Sequence, residues 1–342
     1  MRLEPPPWWY RKQTGVPAYA LMPAAMAVDA IAAWRWGRVK PYRSRLPVIC
    51  VGNLTAGGAG KTPLAICIAG MLAATGRKPG FLTRGFGGRQ RGPQTVDISR
   101  DSASDVGDEA LLLARHAPVI VAQDRAAGAK ALEAAGVDVI VMDDGLQNPQ
   151  LAKQLSIAVL DPQRLIGNGR VIPAGPLRQD LATQLRRTDA LVVLCGTGEP
   201  MPLLPARLQS FTGPVLRAIL SPQADAAGAL MGERVVAYAG IGRPSKLFDT
   251  LRALGAHLMA EIPFPDHHRY TTKDADSLLN LALEHKAMLV TTEKDLARLS
   301  GDAALGDLRH TSVGLPVAAQ FQDRDLERFR ALLGLMLARH PS

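Results

Sequence analysis

Val48-Ile49-Cys50-Val51-Gly52-Asn53-Leu54-Thr55-Ala56-Gly57-Gly58-Ala59-Gly60-Lys61-Thr62 is the stretch that decides the fold. Its first half is an apolar, β-branched run that reads as a buried strand within residues 46–54. A glycine-rich turn follows, and a helical pattern opens at Lys61 and covers residues 61–75. Glycines allow successive backbone N–H groups to turn inward around an anion, and the helix N-terminus adds a favourable dipole. Strand, glycine turn and a helix opening on Lys-Thr make a P-loop. Residues Thr55, Ala56, Gly57, Gly58, Ala59, Gly60, Lys61 and Thr62 are the expected nucleotide cradle, with ATP and Mg²⁺ as cofactors. Lys61 would reach the β- and γ-phosphates, and the Thr62 hydroxyl would hold Mg²⁺. Thr55 stands where the common pattern has glycine. Ala56 stands where a class of dimeric switch ATPases carries lysine, which argues against that class.

Working outward, apolar runs at 79–83, 119–122, 137–142, 157–160 and 190–194 alternate with helical patterns at 109–116 and 125–135. Such alternation predicts an α/β fold: a P-loop NTPase-like, mostly parallel sheet with helices on both faces. The Pro- and Gly-rich zone 196–232 reads as a boundary. A second alternation then begins, with strands at 234–239, 257–262 and 287–291 and helices at 246–254, 273–285 and 323–338. The expected organisation is an N-terminal membrane-associated segment (1–45), a kinase-type domain (46–228) and a smaller α/β domain (229–342), whose last helix has the option of packing back on the first.

Three acidic or histidine clusters carry the remaining chemistry. Val139-Ile140-Val141-Met142-Asp143-Asp144 is an apolar strand ending in two carboxylates, the arrangement that meets Mg²⁺ beside a P-loop. Thr62, Asp143 and Asp144 are therefore the candidate metal residues. Asp105-Val106-Gly107-Asp108-Glu109 opens a helix, where acids are ordinarily caps or dipole partners; the alternative is that one of them accepts a proton. Phe264-Pro265-Asp266-His267-His268-Arg269-Tyr270 is either a polar connecting loop or a proton-handling site. Adjacent histidines on extended backbone point apart, which disfavours a shared metal.

Composition sets the outer limits. The 342 residues are nearly half apolar, about a fifth charged, and carry a net charge of +9, so the chain is globular and suited to anionic partners. The aromatic residues are not arranged as base-stacking motifs, so a nucleic-acid-binding module is disfavoured. Cys50, Cys67 and Cys195 lie in apolar runs without CxxC spacing, the pattern of reduced buried thiols. No internal repeat or signal-peptide pattern is evident. At the N-terminus, Pro5-Pro6-Pro7-Trp8-Trp9-Tyr10-Arg11-Lys12 precedes an alanine-rich apolar run (16–34) interrupted by Pro17, Pro23 and Asp29. Arg35, Arg38, Lys40, Arg43 and Arg45 follow it. Aromatic and basic flanks suit a helix lying at headgroup level or barely spanning a bilayer, with the body on the cytoplasmic side; an ordinary packed helix is the plain alternative.

Taken in order, these motifs resemble the bacterial tetraacyldisaccharide 4′-kinase (lipid A 4′-kinase) family. The resemblance rests on Val51-Gly52-Asn53-Leu54-Thr55, the P-loop, Thr83-Arg84-Gly85-Phe86-Gly87-Gly88 and Val106-Gly107-Asp108-Glu109. It continues through Ala122-Gln123-Asp124-Arg125, Asp143-Asp144-Gly145-Leu146-Gln147, Gly167-Asn168-Gly169-Arg170 and Pro173-Ala174-Gly175-Pro176-Leu177-Arg178. Phe264-Pro265-Asp266-His267 and Thr291-Thr292-Glu293-Lys294-Asp295 complete it. The resemblance implies transfer of the ATP γ-phosphate to the 4′-hydroxyl of a tetraacylated glucosamine disaccharide 1-phosphate at the cytoplasmic face of the inner membrane. It implies Asp108 as base and His267 as its partner, with Lys61 and Asp144 also in the catalytic set. Arg84, Arg125, Gln147, Asn168, Arg170 and Arg178 become candidate substrate residues. The implied partners are the anionic lipid A precursor and the membrane surface, with neither nucleic acid nor an obligate protein partner. Ala110, Asn148, Thr83 and Phe86 depart from the family pattern, and Phe86 cannot donate the hydrogen bond of a tyrosine. The competing reading from a different class is a P-loop switch ATPase acting on a protein partner.

Overall fold

The structure, a computed structural model, describes residues 5–11 and 15–339; Lys12 of the N-terminal aromatic-basic motif lies outside the described residues. Thirteen strands are assigned among the described residues. The first eight are β1 (Val48–Asn53), β2 (Pro79–Thr83), β3 (Gln94–Thr95), β4 (Val119–Val121), β5 (Val139–Asp143), β6 (Leu155–Leu160), β7 (Ala190–Gly196) and β8 (Val215–Pro222). They are followed by β9 (Arg234–Ala239), β10 (His257–Pro263), β11 (Met288–Thr292), β12 (Ser312–Leu315) and β13 (Val317–Phe321).

They form a nine-stranded sheet of order β13-β8-β7-β6-β1-β5-β2-β4-β3 and a four-stranded sheet of order β10-β9-β11-β12. The large sheet is parallel except at its two edges, where β13 pairs antiparallel with β8 and β3 with β4. The small sheet is parallel throughout. This is the α/β architecture the alternating pattern predicts. Strand β1 is buried along its whole length because helices cover both faces of the sheet. Its residues alternate between two cores. Ile49 and Val51 join the helices Lys61–Ala74 and Asp323–Ala338, while Val48 and Cys50 face Leu132 and Leu181. The parallel register sets Val51 beside Asp143, so the P-loop and the carboxylate pair emerge at the same sheet edge.

The zone 196–232, expected to be an irregular boundary, contains β8, a full strand of the large sheet. Its apolar run is broken by Arg217 and closed by Pro222, and most of its residues are only partly buried, so the strand pattern is muted. The chain crosses to the small sheet after β8 and returns at Pro316, between β12 and β13. Gln223 N–H donates to Pro316 O at 3.0 Å, tying the two crossings together. The last helix, Asp323–Ala338, then packs on the large sheet, and Phe329 stacks on Phe321 with centroids 4.3 Å apart.

At the N-terminus, the helices Val16–Ala20 and Met22–Arg38 bury only Ala18 and Ala25. Val16, Tyr19, Met26, Ile31 and Trp34 are exposed. Asp29, the residue that weakens a spanning reading, accepts the Asp180 N–H at 2.8 Å and so anchors the helix to the large-sheet body. Trp36 lies under the Arg187 guanidinium at 3.7 Å. Among the described residues no helix is long and apolar enough to cross a membrane.

Candidate active site

The P-loop leaves β1 and enters the helix Lys61–Ala74 through Gly60, at φ +81°. A Cβ there would approach Leu194 Cδ2 to 2.3 Å, so this position requires glycine on both conformational and steric grounds. The loop is propped from outside by the 173–178 segment. Ala56 N–H donates to Pro176 O at 2.8 Å, Thr55 bridges Leu177, and Arg178 N–H donates to Leu54 O at 2.9 Å. From inside, the buried Asn53 donates its amide to Gly57 O at 2.9 Å.

Lys61 and Thr62 are buried at the helix start. The Thr62 hydroxyl donates to Asp143 Oδ2 at 3.3 Å. Asp143 is fully buried, and its Oδ1 has no protein partner. Burial first, and the nearby Glu109 carboxylate second, push its pKa up to about 7. Asp144 stands at φ 53°, a left-handed conformation that is costly for a non-glycine residue. Its carboxylate receives a guanidinium fork from Arg178 at 2.7 and 3.2 Å and lies 3.9 Å from Lys61 Nζ. Burial opposes its ionisation, but Lys61 and Arg178 outweigh that and hold it well below the usual carboxylate range. Gln147 completes the brace. It accepts from Arg178 at 3.2 Å and donates to Asn53 O at 2.9 Å and to Gln184 Oε1 at 2.8 Å.

This donor set fits Mg²⁺. One hydroxyl and one or two strand-end carboxylates are hard oxygens few enough to leave water on the cation, and the orphaned Asp143 Oδ1 is the buried acceptor such a cation would satisfy. Among the described residues no group of three or more His, Cys, Asp or Glu gathers into a metal site of another kind.

The two acids of the 105–109 motif divide cleanly. Asp105 forms a capping box with Ser102 and pairs with Arg89 at 2.6 Å on the surface. Asp108, 3% exposed, opens the helix Asp108–Leu113 and faces the small sheet. Its Oδ1 accepts the Glu109 N–H at 2.9 Å; its Oδ2 receives Arg298 Nε at 2.7 Å and lies 3.5 Å from His267 Nδ1. Burial disfavours its charge, yet the His267 hydrogen bond and the Arg298 and Lys294 charges keep its carboxyl far below the usual range. His267 has φ 56°, is tied by its N–H to Gly240 O at 2.9 Å, and takes the Phe86 ring edge-on at 5.0 Å. Phe86 thus contributes ring contact in place of a hydroxyl. His268 turns the other way, to Asp274 at 3.1 Å and a stack on Phe264.

Two cavities flank this constellation. One of about 200 Å³ runs from Gly58, Gly60 and Thr62 to Ile66, Leu220, Leu247 and Leu315. The other, of about 570 Å³, is lined by Phe86, Asp108, His267, Tyr270 and Arg298.

Of the remaining candidates, Gln147 and Arg178 stand at the carboxylates. Arg125 is 2% exposed and donates to Ala122 O at 2.7 Å. Burial lowers its basicity to about 10. The Asn168 side chain bonds Ala174 O and the Arg170 N–H within its own loop, and its backbone N–H donates to Trp9 O; Arg170 is half-buried there. Arg84 is exposed at the end of β2. The motif reading assigned no role to Lys294, Asp295 or Arg298, although Lys294 reaches Glu109 Oε1 at 2.7 Å and Arg298 reaches Asp108. Lys294 and Asp295 lie in the Thr291–Asp295 motif that carries the resemblance, and Arg298 is signalled only by standing one helical turn beyond Lys294.

The family model for tetraacyldisaccharide-1-P 4′-kinase matches residues 17–334 of the chain. A tetraacyldisaccharide 4′-kinase of Methylorubrum extorquens is 49% identical over 324 residues, covering 94% of this chain and 95% of that protein. That of Nitrobacter winogradskyi is 44% identical, covering 97% and 98%. The crystal structure of the "apo" form of LpxK from Aquifex aeolicus in complex with ATP has a TM-score of 0.72 and 26% identity, covering 94% of this chain and 99% of that one.

Proposed function

The chain belongs to the tetraacyldisaccharide-1-P 4′-kinase family, and from that premise we propose how its residues carry ATP-dependent phosphorylation of the 4′-hydroxyl of a tetraacylated glucosamine disaccharide 1-phosphate. The observation that carries the residue assignment is a convergence. Thr62 meets Asp143 on the large sheet, Asp108 is held by His267 of the small sheet, and Glu109, the neighbour of Asp108, joins the two groups through its charge interactions with Lys61 and Asp143. The P-loop backbone and Lys61 hold the β- and γ-phosphates, and the apolar cavity beside Ile66 and Leu247 takes the base of ATP. Thr62 and Asp143, with Asp144 alongside, would hold Mg²⁺, whose charge screens the phosphates from one another.

The sugar 4′-oxygen attacks the γ-phosphorus, the bond to the β-γ bridging oxygen breaks, and ADP leaves. The hydroxyl proton passes to the Asp108 carboxylate. His267, its Nδ1 3.5 Å from Asp108 Oδ2, helps hold the carboxylate in place. Arg178 orders Asp144 and the P-loop prop. Most of the rate gain then comes from positioning and electrostatics.

The exposed apolar side chains of the N-terminal helices, with Arg35 and Arg38 at their end, support contact with the membrane interface. We place the enzyme on the cytoplasmic face of the inner membrane, where ATP and the anionic lipid meet. The region 46–228 is the kinase domain and 229–342 the smaller domain that closes over the nucleotide; its end, 317–338, packs on the kinase sheet.

The test is phosphate transfer from γ-labelled ATP to detergent-dispersed tetraacyldisaccharide 1-phosphate. Labelled lipid is expected with the wild type and none with Lys61→Ala. Lipid-independent ATP hydrolysis without labelled lipid would overturn the assignment.

A further inference from the structure

The helix Glu293–Arg298 sets two cations, Lys294 and Arg298, one turn apart against two adjacent carboxylates at the start of the helix Asp108–Leu113. Lys294 Nζ lies 2.7 Å from Glu109 Oε1, and Arg298 Nε and Nη2 lie 2.7 and 2.5 Å from Asp108 Oδ2. The Arg298 side chain is 9% exposed, and its remaining nitrogen is fixed as well. Nη1 donates to Gly240 O and to Asp295 Oδ1, both at 2.6 Å. Asp295, fully buried, is locked in turn by the Gly240 N–H at 3.1 Å, the Tyr270 hydroxyl at 3.0 Å and the Thr292 hydroxyl at 2.6 Å. Gly240 O also receives the His267 N–H. One carbonyl just past the end of β9 therefore anchors both residues whose side chains meet Asp108 Oδ2.

A buried ion pair formed only for stability would need neither the shared anchor nor a fork aimed at a single oxygen. We propose that Arg298, oriented by Asp295, is a positioning residue for phosphoryl transfer: it fixes the Asp108 carboxylate from the small sheet, so that the base is aligned only when the two sheets are in contact. This rests on the reading of Asp108 as the acceptor of the hydroxyl proton. The hydrogen bonds of Arg298 go to Asp108, Gly240, Asp295 and His267, away from both the P-loop and the cavity assigned to the base of ATP, so KM for ATP is read on the Arg298 variants; Asp295 also holds Thr292, which lines that cavity, and its variant is read on kcat. The charged and titratable groups facing Asp108 are Glu109 on its own helix, Lys294 and Arg298 on the opposing helix, and His267 on the loop after β10. Removing Arg298 takes away a cation that favours the ionised form, so the acid limb of the rate profile moves to higher pH.

The experiment measures kcat, KM for ATP and the pH dependence of kcat in the full-length enzyme. The variants are Arg298→Ala, Arg298→Lys, Asp295→Asn and Asp108→Asn. A misplaced reacting group costs on the order of 100-fold in rate. Arg298→Ala is expected to lose about that in kcat with KM for ATP within about twofold, and with its acid limb shifted upward. Arg298→Lys keeps a charge without the fork, so the acid limb returns while kcat stays low. Asp295→Asn lowers kcat with the Arg298 charge still in place, and it serves if Arg298→Ala does not fold. Wild-type kcat and an unmoved acid limb in Arg298→Lys and Asp295→Asn, with Asp108→Asn inactive, would overturn the proposal while leaving the base intact. Full turnover by Asp108→Asn would remove the base reading itself, and the proposal with it.

Discussion

Replacing Gly60 by alanine tests the geometry on which the phosphate cradle depends. The position has φ +81°, where an L side chain costs roughly 1–2 kcal/mol. The added methyl would stand 2.3 Å from Leu194 Cδ2, against roughly 3.5 Å for an ordinary carbon contact, so loop or leucine must move by about 1 Å. Leu194 is 2% exposed and packed between sheet and helix, so it has little room to retreat. The loop is held on its other side by Pro176 O and Asn53, so strain passes into the phosphate-facing backbone. A displacement of about 1 Å costs on the order of 100-fold in turnover.

Gly60→Ala should therefore lose on that scale in kcat/KM for ATP and about 1–2 kcal/mol or more in urea-unfolding stability. Leu194→Ala alone costs about 2–5 kcal/mol through its cavity. The double variant relieves the clash and leaves the φ strain. It should recover about tenfold of turnover and be more stable than the two single losses combined would give. Wild-type turnover in Gly60→Ala, or additive effects in the double variant, would refute the argument that the Leu194 contact shapes the loop.

Asp108→Asn should abolish lipid phosphorylation while leaving ATP binding within about twofold, measured by nucleotide titration; retained turnover would remove Asp108 from the chemistry. Asp105→Ala, three residues away, should cost about 1 kcal/mol of stability by breaking the capping box it forms with the N-cap Ser102, and keep kcat. Its Ser102 and Arg89 partners hold the Asp105 acidity at about 2. A depressed carboxyl stabilises the fold above its unfolded value near 3.8 and loses that contribution as pH falls towards 2. Wild type and Asp105→Ala should thus converge in stability as urea midpoints are taken from about pH 5 down to about pH 2. Ile31→Glu combined with Trp34→Glu places charges on exposed apolar positions and should reduce sedimentation with anionic phospholipid vesicles severalfold without changing the unfolding midpoint. A lowered midpoint would show instead that this face packs on the protein.

Much of the architecture and part of the site were legible along the chain. The alternation of apolar runs with helical patterns announced the parallel sheet, because a strand covered on both faces must be apolar throughout. The P-loop and the carboxylates after β5 were legible for a related reason: each is a few consecutive residues whose spacing is itself the geometry. Strand β8 was not, since Arg217 and Pro222 break its pattern and its place in the sheet is settled by pairing with β7 and β13.

What the sequence by itself determined is the set of local motifs: the cradle Thr55–Thr62, the pair Asp143-Asp144, and an acid-rich helix start with a histidine loop whose roles stayed open. Only the tertiary structure separated Asp105, the capping-box partner of Ser102, from Asp108, which faces the second sheet, and His267 from His268, which turn to opposite sides. It alone brought Arg298 to Asp108, 190 positions away, and Leu194 to Gly60. The reason is physical. Backbone preference and periodicity act over a few residues and are written in order along the chain. The partner of a buried charge is chosen by strand register and by the packing of one sheet against another, which depend on residues far apart in sequence.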